Sequence, residues 1–130
     1  MRWEEVFAVF VVCHLAGDFL LQTDWQATNK RGGLSGDRVA RRALFSHVAV
    51  YTLVFIPAVA WIASEKSALA LALLAVIFVP HLVQDDGRLV TGWNHAVKHA
   101  ALPPGEAVSI AVDQTFHVVF LFGTALLALA

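Results

Sequence analysis

Residues 43–64 and 67–84 contain no Asp, Glu, Lys or Arg, and residues 107–130 contain only Asp113. Few folds accept such stretches, because about 20 apolar residues in a helix, at about 1.5 Å each, match the hydrocarbon thickness of a bilayer. Within hydrocarbon every backbone N–H and C=O must be paired inside the segment, and a helix does this. A fourth stretch, residues 6–21, is shorter and carries Asp18; it is read as the first of four spans. The predicted fold is therefore all-α: an integral membrane four-helix bundle forming a single transmembrane domain over residues 1–130. The polar segment before Ala43 is a loop with a short surface helix toward its end. The segment after Gln84 holds Trp93, Ala96, Val97, Ala100 and Ala101, a pattern that predicts a cytoplasmic amphipathic loop helix ended by Pro103 and Pro104.

Composition supports this reading. Hydrophobic residues make up 58% of the 130 and charged residues 15%, against about a quarter charged in an average soluble domain. Mean hydropathy is +0.68. The formal net charge of -1 excludes a general nucleic-acid binder, which needs a strongly basic surface. The expected partners are membrane lipid and, in a possible homo-oligomer, further copies of the chain, with no nucleic acid. Cys13 is the only cysteine, so an intramolecular disulfide and a cysteine-based zinc site are excluded, leaving a small core residue.

Basic residues in short loops mark the cytoplasmic side. Lys30, Arg31, Arg38, Arg41, Arg42, Arg88 and Lys98 fall in the two longer polar segments, whereas Arg2 and Lys66 fall on the opposite side. The expected placement is a multi-pass protein of the cell inner membrane, with both termini and a tight Glu65–Lys66 turn outside and both long loops cytoplasmic. Trp3, Trp25, Trp61 and Trp93 each lie near a predicted span end, as an aromatic belt requires. A cleaved signal peptide over residues 1–25 is the rival reading. His14 and Asp18 within the apolar run, and basic residues after rather than before it, speak against it.

Four of the six histidines lie in or beside the spans, and three have an aspartate four residues away: His14 with Asp18, His81 with Asp85, and His117 with Asp113. Residues at i and i+4 share a helix face, so each pair projects in one direction. His47 brings a fourth helix. Counting about 1.5 Å per residue from the basic ends places Asp18, His47, His81 and Asp113 about 5–10 Å deep, His14 and His117 near 15 Å, and Asp85 near the surface. Ionisable groups in hydrocarbon face the bundle interior and find partners, which makes them functional-site candidates. Imidazole with carboxylate suits a divalent transition metal (zinc, manganese or iron). The competing readings are Asp–His pairs that only fix helix register, and a proton or cation relay.

Pro80 precedes His81, frees a backbone carbonyl and bends the span, which aims His81 inward; Pro57 is a simple kink. His95 and His99 form another i,i+4 pair, but in a loop beside Lys98, where solvation is the expected state. No Gly-rich phosphate loop, G-x-S-x-G or H-E-x-x-H motif occurs. Ser46 beside His47 is adjacent in sequence only.

The order HLAGDFLLQTDW, a lone His opening the second span, HLVQD and DQTFH resembles a family of small bacterial and phage membrane proteins catalogued as domain of unknown function 3307. The resemblance covers nearly the whole chain. It implies a polar signature at His14, Asp18, Gln22, Asp24, Lys30, His47, His81, Asp85, Asp113, Gln114 and His117, with Gln84 standing where the family usually has an apolar residue. It implies no particular activity. The pattern of His and Asp on short membrane helices is also similar, more loosely, to inner-membrane proteins described as metal-dependent hydrolases.

Two functions from different classes are expected. In the first, His14, Asp18, His47, His81, Asp85, Asp113 and His117 hold one or two divalent ions that activate water, whichever of Asp85 and Asp18 is not bound to metal accepts the proton, and an anionic lipid head group or other phosphoester is hydrolysed beside Lys30, Arg31 and Arg88. In the second, the chain is an ion- or proton-transport or metal-sensing subunit of a larger membrane assembly. A transport path needs polar groups in both leaflets, and the outer halves of the spans offer almost none.

Overall fold

The computed structural model describes residues 1–64 and 67–129. The predicted Glu65–Lys66 turn and Ala130 lie outside the described residues.

Helix α1, Trp3–Leu15, opens with Glu4 and Glu5 in its first turn, where carboxylates offset the exposed N–H groups, and Glu5 accepts a hydrogen bond from the Arg2 N–H at 2.9 Å. From Ala16 to Leu20 the backbone rewinds into a π turn, closed by the Leu21 N–H on the Ala16 carbonyl at 3.0 Å. The first expected span, residues 6–21, is thus a shorter helix continued by a π turn. Three helices are long and apolar enough to cross a membrane, at Arg38–Ile62, Ala68–Asp85 and Ala107–Leu127, whereas α1 has 13 residues. Gly17 sits in the π turn because Tyr51 packs against it: a Cβ there would come within 2.6 Å of Tyr51 Cδ2.

Helix α2, Asp24–Asn29, is started by a reciprocal cap between Thr23 and Gln26, and Gln26 Nε2 ties it to Ser46 Oγ at 3.1 Å. Helix α3, Arg38–Ile62, begins five residues before the predicted span, where the Asp37 carboxylate accepts from the N–H groups of Val39 and Ala40. Helix α4 runs Ser67–Asp85 and is followed by Gly87 at φ +84°, a left-handed turn that favours glycine. Helix α5, Arg88–Ala96, presents Val90 and Asn94 inward and leaves Trp93 half exposed, edge-on to Phe116. It stops well before Pro103, so the prolines do not end it. Its last turn is closed by the Val97 N–H on the Trp93 carbonyl at 2.8 Å, and the chain then turns at His99, where φ is 50°. Helix α6 is Ala107–Leu127.

Helix α1 packs on α3 and α6, and α4 packs on the same two, so the four helices close a ring. One half of the interior is apolar: Val6, Phe10, Phe55, Val59, Leu73, Ile77, Leu121 and Ala125. Phe10 meets Phe55, and Trp3 and Phe7 meet Phe122 edge-on at 5.5 Å. The outward faces are apolar as well, with Val12, Leu53, Leu71, Val119 and Leu127 each 60% or more exposed, a surface suited to hydrocarbon rather than water. The other half of the interior is polar, and Tyr51 stands at the border.

Candidate metal centre

The C-terminal ends of α1 and α4 meet the N-terminal halves of α3 and α6 at one level. His14 comes from α1, Asp18 from the π turn, His47 from α3, His81 and Asp85 from the last turns of α4, and Asp113 and His117 from α6. All except Asp113 are buried, each at most 6% exposed. Asp85, at the last residue of α4, is enclosed by the protein, with α5 packed on α4 and the Gly32 N–H bonded to the neighbouring Asp86 carbonyl.

Asp18, His47, His81 and Asp85 form one group. His47 Nε2 lies 2.7 Å from Asp85 Oδ2, 3.2 Å from His81 Nε2 and 3.3 Å from Asp18 Oδ1. His81 Nε2 lies 3.3 Å from Asp85 Oδ2 and 3.5 Å from Asp18 Oδ1. Four donors around a zinc-like ion, at bonds of about 2.0–2.1 Å, stand about 3.3–3.5 Å apart when tetrahedral. Three of the five separations fall in that range, and the other two, at 2.7 and 3.2 Å, are shorter. One N–H cannot serve three acceptors, and Asp18 Oδ1 accepts no hydrogen bond from any described residue. A buried carboxylate oxygen without a donor is costly unless a cation meets it.

Asp85, Asp113 and His117 form a second group that shares Asp85 with the first. His117 Nδ1 donates to the Asp113 backbone carbonyl at 2.8 Å. That bond fixes the ring's tautomer and leaves Nε2 as a bare lone pair when the ring is neutral. His117 Nε2 faces Asp85 Oδ1 at 3.5 Å and has no hydrogen-bond partner among the described residues.

His14 stands in neither group. Its Nε2 donates to Gln114 Oε1 at 3.0 Å, and its Nδ1 accepts from the Tyr51 hydroxyl at 3.2 Å while lying 3.5 Å from Asp18 Oδ2. Both nitrogens are thus occupied, and the ring backs the Asp18 carboxylate. The ring of Tyr51 also stacks on His81. Neither Tyr51 nor Gly17 belongs to the His and Asp pattern of the sequence. The signals were present: Tyr51 is the only tyrosine and follows His47 by four residues, on the same helix face.

Lys30 Nζ contacts Asp85 Oδ2 at 2.8 Å and Gln22 Oε1 at 2.5 Å. The loop that carries it is pinned by Asp86: the Leu34 N–H donates to Asp86 Oδ1 at 2.8 Å and the Gly32 N–H to the Asp86 carbonyl at 2.9 Å. Burial works against the charge on Asp86, but the Arg88 guanidinium and the Leu34 N–H outweigh it and hold its carboxyl below the usual range. With the imidazoles neutral, Asp18, Asp85 and Asp113 against Lys30 leave a formal deficit of two positive charges. A cavity of about 500 Å³ adjoins the cluster, lined among others by Asp18, Gln22, Lys30, Arg31, Asp113 and Gln114. His95 and His99 are exposed, as is Asp24, and none belongs to either group.

The family described as protein of unknown function (DUF3307) matches residues 6–129. The chain belongs to this family. The match takes in α1 through α6 with every residue of the buried cluster, as the resemblance implied. No curated protein and no solved structure matches the chain.

Proposed function

We propose that this member of the DUF3307 family is a membrane-embedded metal-binding protein that hydrolyses an anionic, phosphoester-bearing lipid. The observation that carries the metal reading is the gathering of one ligand atom each from Asp18, His47, His81 and Asp85 within 4.8 Å of one another, with Asp18 Oδ1 left without a hydrogen-bond partner among the described residues. Pairs that merely fixed helix register would satisfy that oxygen. Zinc, manganese and iron fit a set of two imidazoles and two carboxylates.

An ion of this class supplies Lewis acidity and activates water for attack on an ester. The chain's own groups do the rest. Of the two carboxylates considered as proton acceptor, Asp18 lines the cavity and Asp85 does not, which favours Asp18. Lys30 and Arg31, on the cavity wall, fit the phosphate oxygens of a head group. Phe19 lines both this cavity and a groove of about 350 Å³ bounded otherwise by Val12, Leu15, Ala16 and Leu20. A head group in the cavity leaves its acyl chain at the groove, so a lipid of the inner leaflet is the substrate class proposed. The apolar half of the interior, closed by Phe10, Phe55 and Leu121, disfavours a through-path for ions.

The test pairs metal analysis of detergent-purified protein with product release from inner-membrane lipid extracts, for wild type and Asp18→Asn. Metal-bearing wild type that releases product, and a variant that loses both, is the expected result. Metal-loaded protein inert across lipid classes would reject hydrolysis, and a stable protein indifferent to zinc, manganese and iron would reject the metal reading.

A further inference from the structure

The two oxygens of one buried carboxylate face two different sets of donors. Asp85 Oδ2 points at His47 and His81, at 2.7 and 3.3 Å, and Oδ1 points at His117 Nε2 at 3.5 Å. A lone pair on His117 Nε2 opposite a carboxylate oxygen is repulsive, and burial removes the water that would separate them. The ring cannot relieve this by moving its proton, because Nδ1–H is committed to the Asp113 carbonyl, so a second proton or a cation must stand between Nε2 and Asp85 Oδ1. A histidine that donates one ring N–H to a backbone carbonyl and presents the other nitrogen bare has the usual arrangement of a metal ligand. His117 is 2% exposed, its unpartnered Nε2 faces Asp85 Oδ1, and Asp85, Asp113 and His117 each offer a ligand atom within 4.8 Å of the others.

We propose that Asp85 bridges two ions, the first held by Asp18, His47 and His81 and the second by Asp113 and His117. This rests on the metal reading above and fixes its nuclearity. The second ion has fewer protein donors, two oxygens and one nitrogen, which suits manganese, iron or zinc. Of the residues that would hold it Asp113 lines the cavity, so the second site adjoins the space proposed for the head group. Two divalent ions turn the formal deficit of two charges into an excess of two, and the cavity then favours a dianionic phosphoester.

The experiment loads metal-stripped full-length protein in detergent with manganese(II) and reads stoichiometry and the electron paramagnetic resonance spectrum. Wild type is expected to bind two equivalents with a spin-coupled signal. Asp113→Asn and His117→Gln are each expected to bind one and give the spectrum of an isolated ion, with Asp113→Asn, at the less buried position, guarding against misfolding of the other. Wild type that saturates at one equivalent, unaltered by Asp113→Asn, overturns the second site and leaves the first. Two equivalents without coupling overturn the Asp85 bridge. No binding at all overturns this proposal together with the metal reading.

Discussion

The imidazole of His81 lies flat on the ring of Tyr51, with centroids 3.4 Å apart and planes 8° from parallel. His81 Nδ1 has no hydrogen-bond partner among the described residues, so the aromatic stack sets this ring's orientation where a hydrogen bond ordinarily would. The same tyrosine donates its hydroxyl to His14 Nδ1. Its two functions are separable. Tyr51→Phe keeps the stack and leaves His14 Nδ1 short of a donor, which should cost about 1–3 kcal/mol in thermal unfolding while metal affinity holds. Tyr51→Leu removes the stack, and metal affinity should fall about 10- to 100-fold. Equal affinities for the two variants would show that the stack does not position His81.

Gly17 predicts a second outcome. The Tyr51 ring leaves no room for a methyl group at residue 17, and the ring cannot retreat without leaving His81. Gly17→Ala should therefore lower stability by about 1–3 kcal/mol, as overpacking does. In a Tyr51→Leu background the same change should cost much less, because neighbours in contact are coupled. Additive losses in the double variant would place the strain elsewhere.

The parts of this architecture legible in the chain are those that depend on helical periodicity. Spacings of four residues put His81 with Asp85 and His117 with Asp113 on common faces, and uncharged runs locate α3, α4 and α6. What was not legible depends on contacts distant in sequence. Asp85 stands at the end of α4 and is buried by contacts from Lys30, His47 and His117, which lie far from it in sequence. His14 has the same spacing to Asp18 as His81 has to Asp85, yet Tyr51 and Gln114 occupy both its nitrogens. The π turn follows from the approach of Tyr51 to Gly17, which no local pattern encodes.

Lys30 reads along the chain as a topology determinant, and in the fold its ammonium meets Asp85, the two side chains being 13% and 1% exposed. Removing one partner of a buried pair strands the other's charge, at a cost of about 3–5 kcal/mol. A metal ion at Asp85 would neutralise that charge by another route. Lys30→Met should accordingly destabilise stripped protein by about 3 kcal/mol and loaded protein by markedly less. The measurement is the melting temperature with and without zinc, whose difference should widen in the variant. Equal losses in both forms would argue that no cation reaches Asp85.

Orientation is the remaining prediction, and the structure guides where to test it. Gly33 lies in a basic loop, but a Cβ there would come within 2.7 Å of the Ala40 carbonyl oxygen and the Leu44 Cβ, so a cysteine would disturb the packing on α3. Gly92 and Gly105 have nothing within 4 Å of a built Cβ, and Ser64, beyond the far end of α3, is exposed. In a Cys13→Ala background, Gly92→Cys and Gly105→Cys should react with a thiol reagent only when it reaches the cytoplasm, and Ser64→Cys should react from outside. The ground for this is the seven basic residues in the loops and at the starts of α3 and α5 beside the cluster, which the charge asymmetry of membrane insertion assigns to the cytoplasm. Labelling of Gly92→Cys from outside would invert the chain, open the cavity beside Lys30 and Arg31 to the opposite leaflet, and change the lipid pool from which a substrate is drawn.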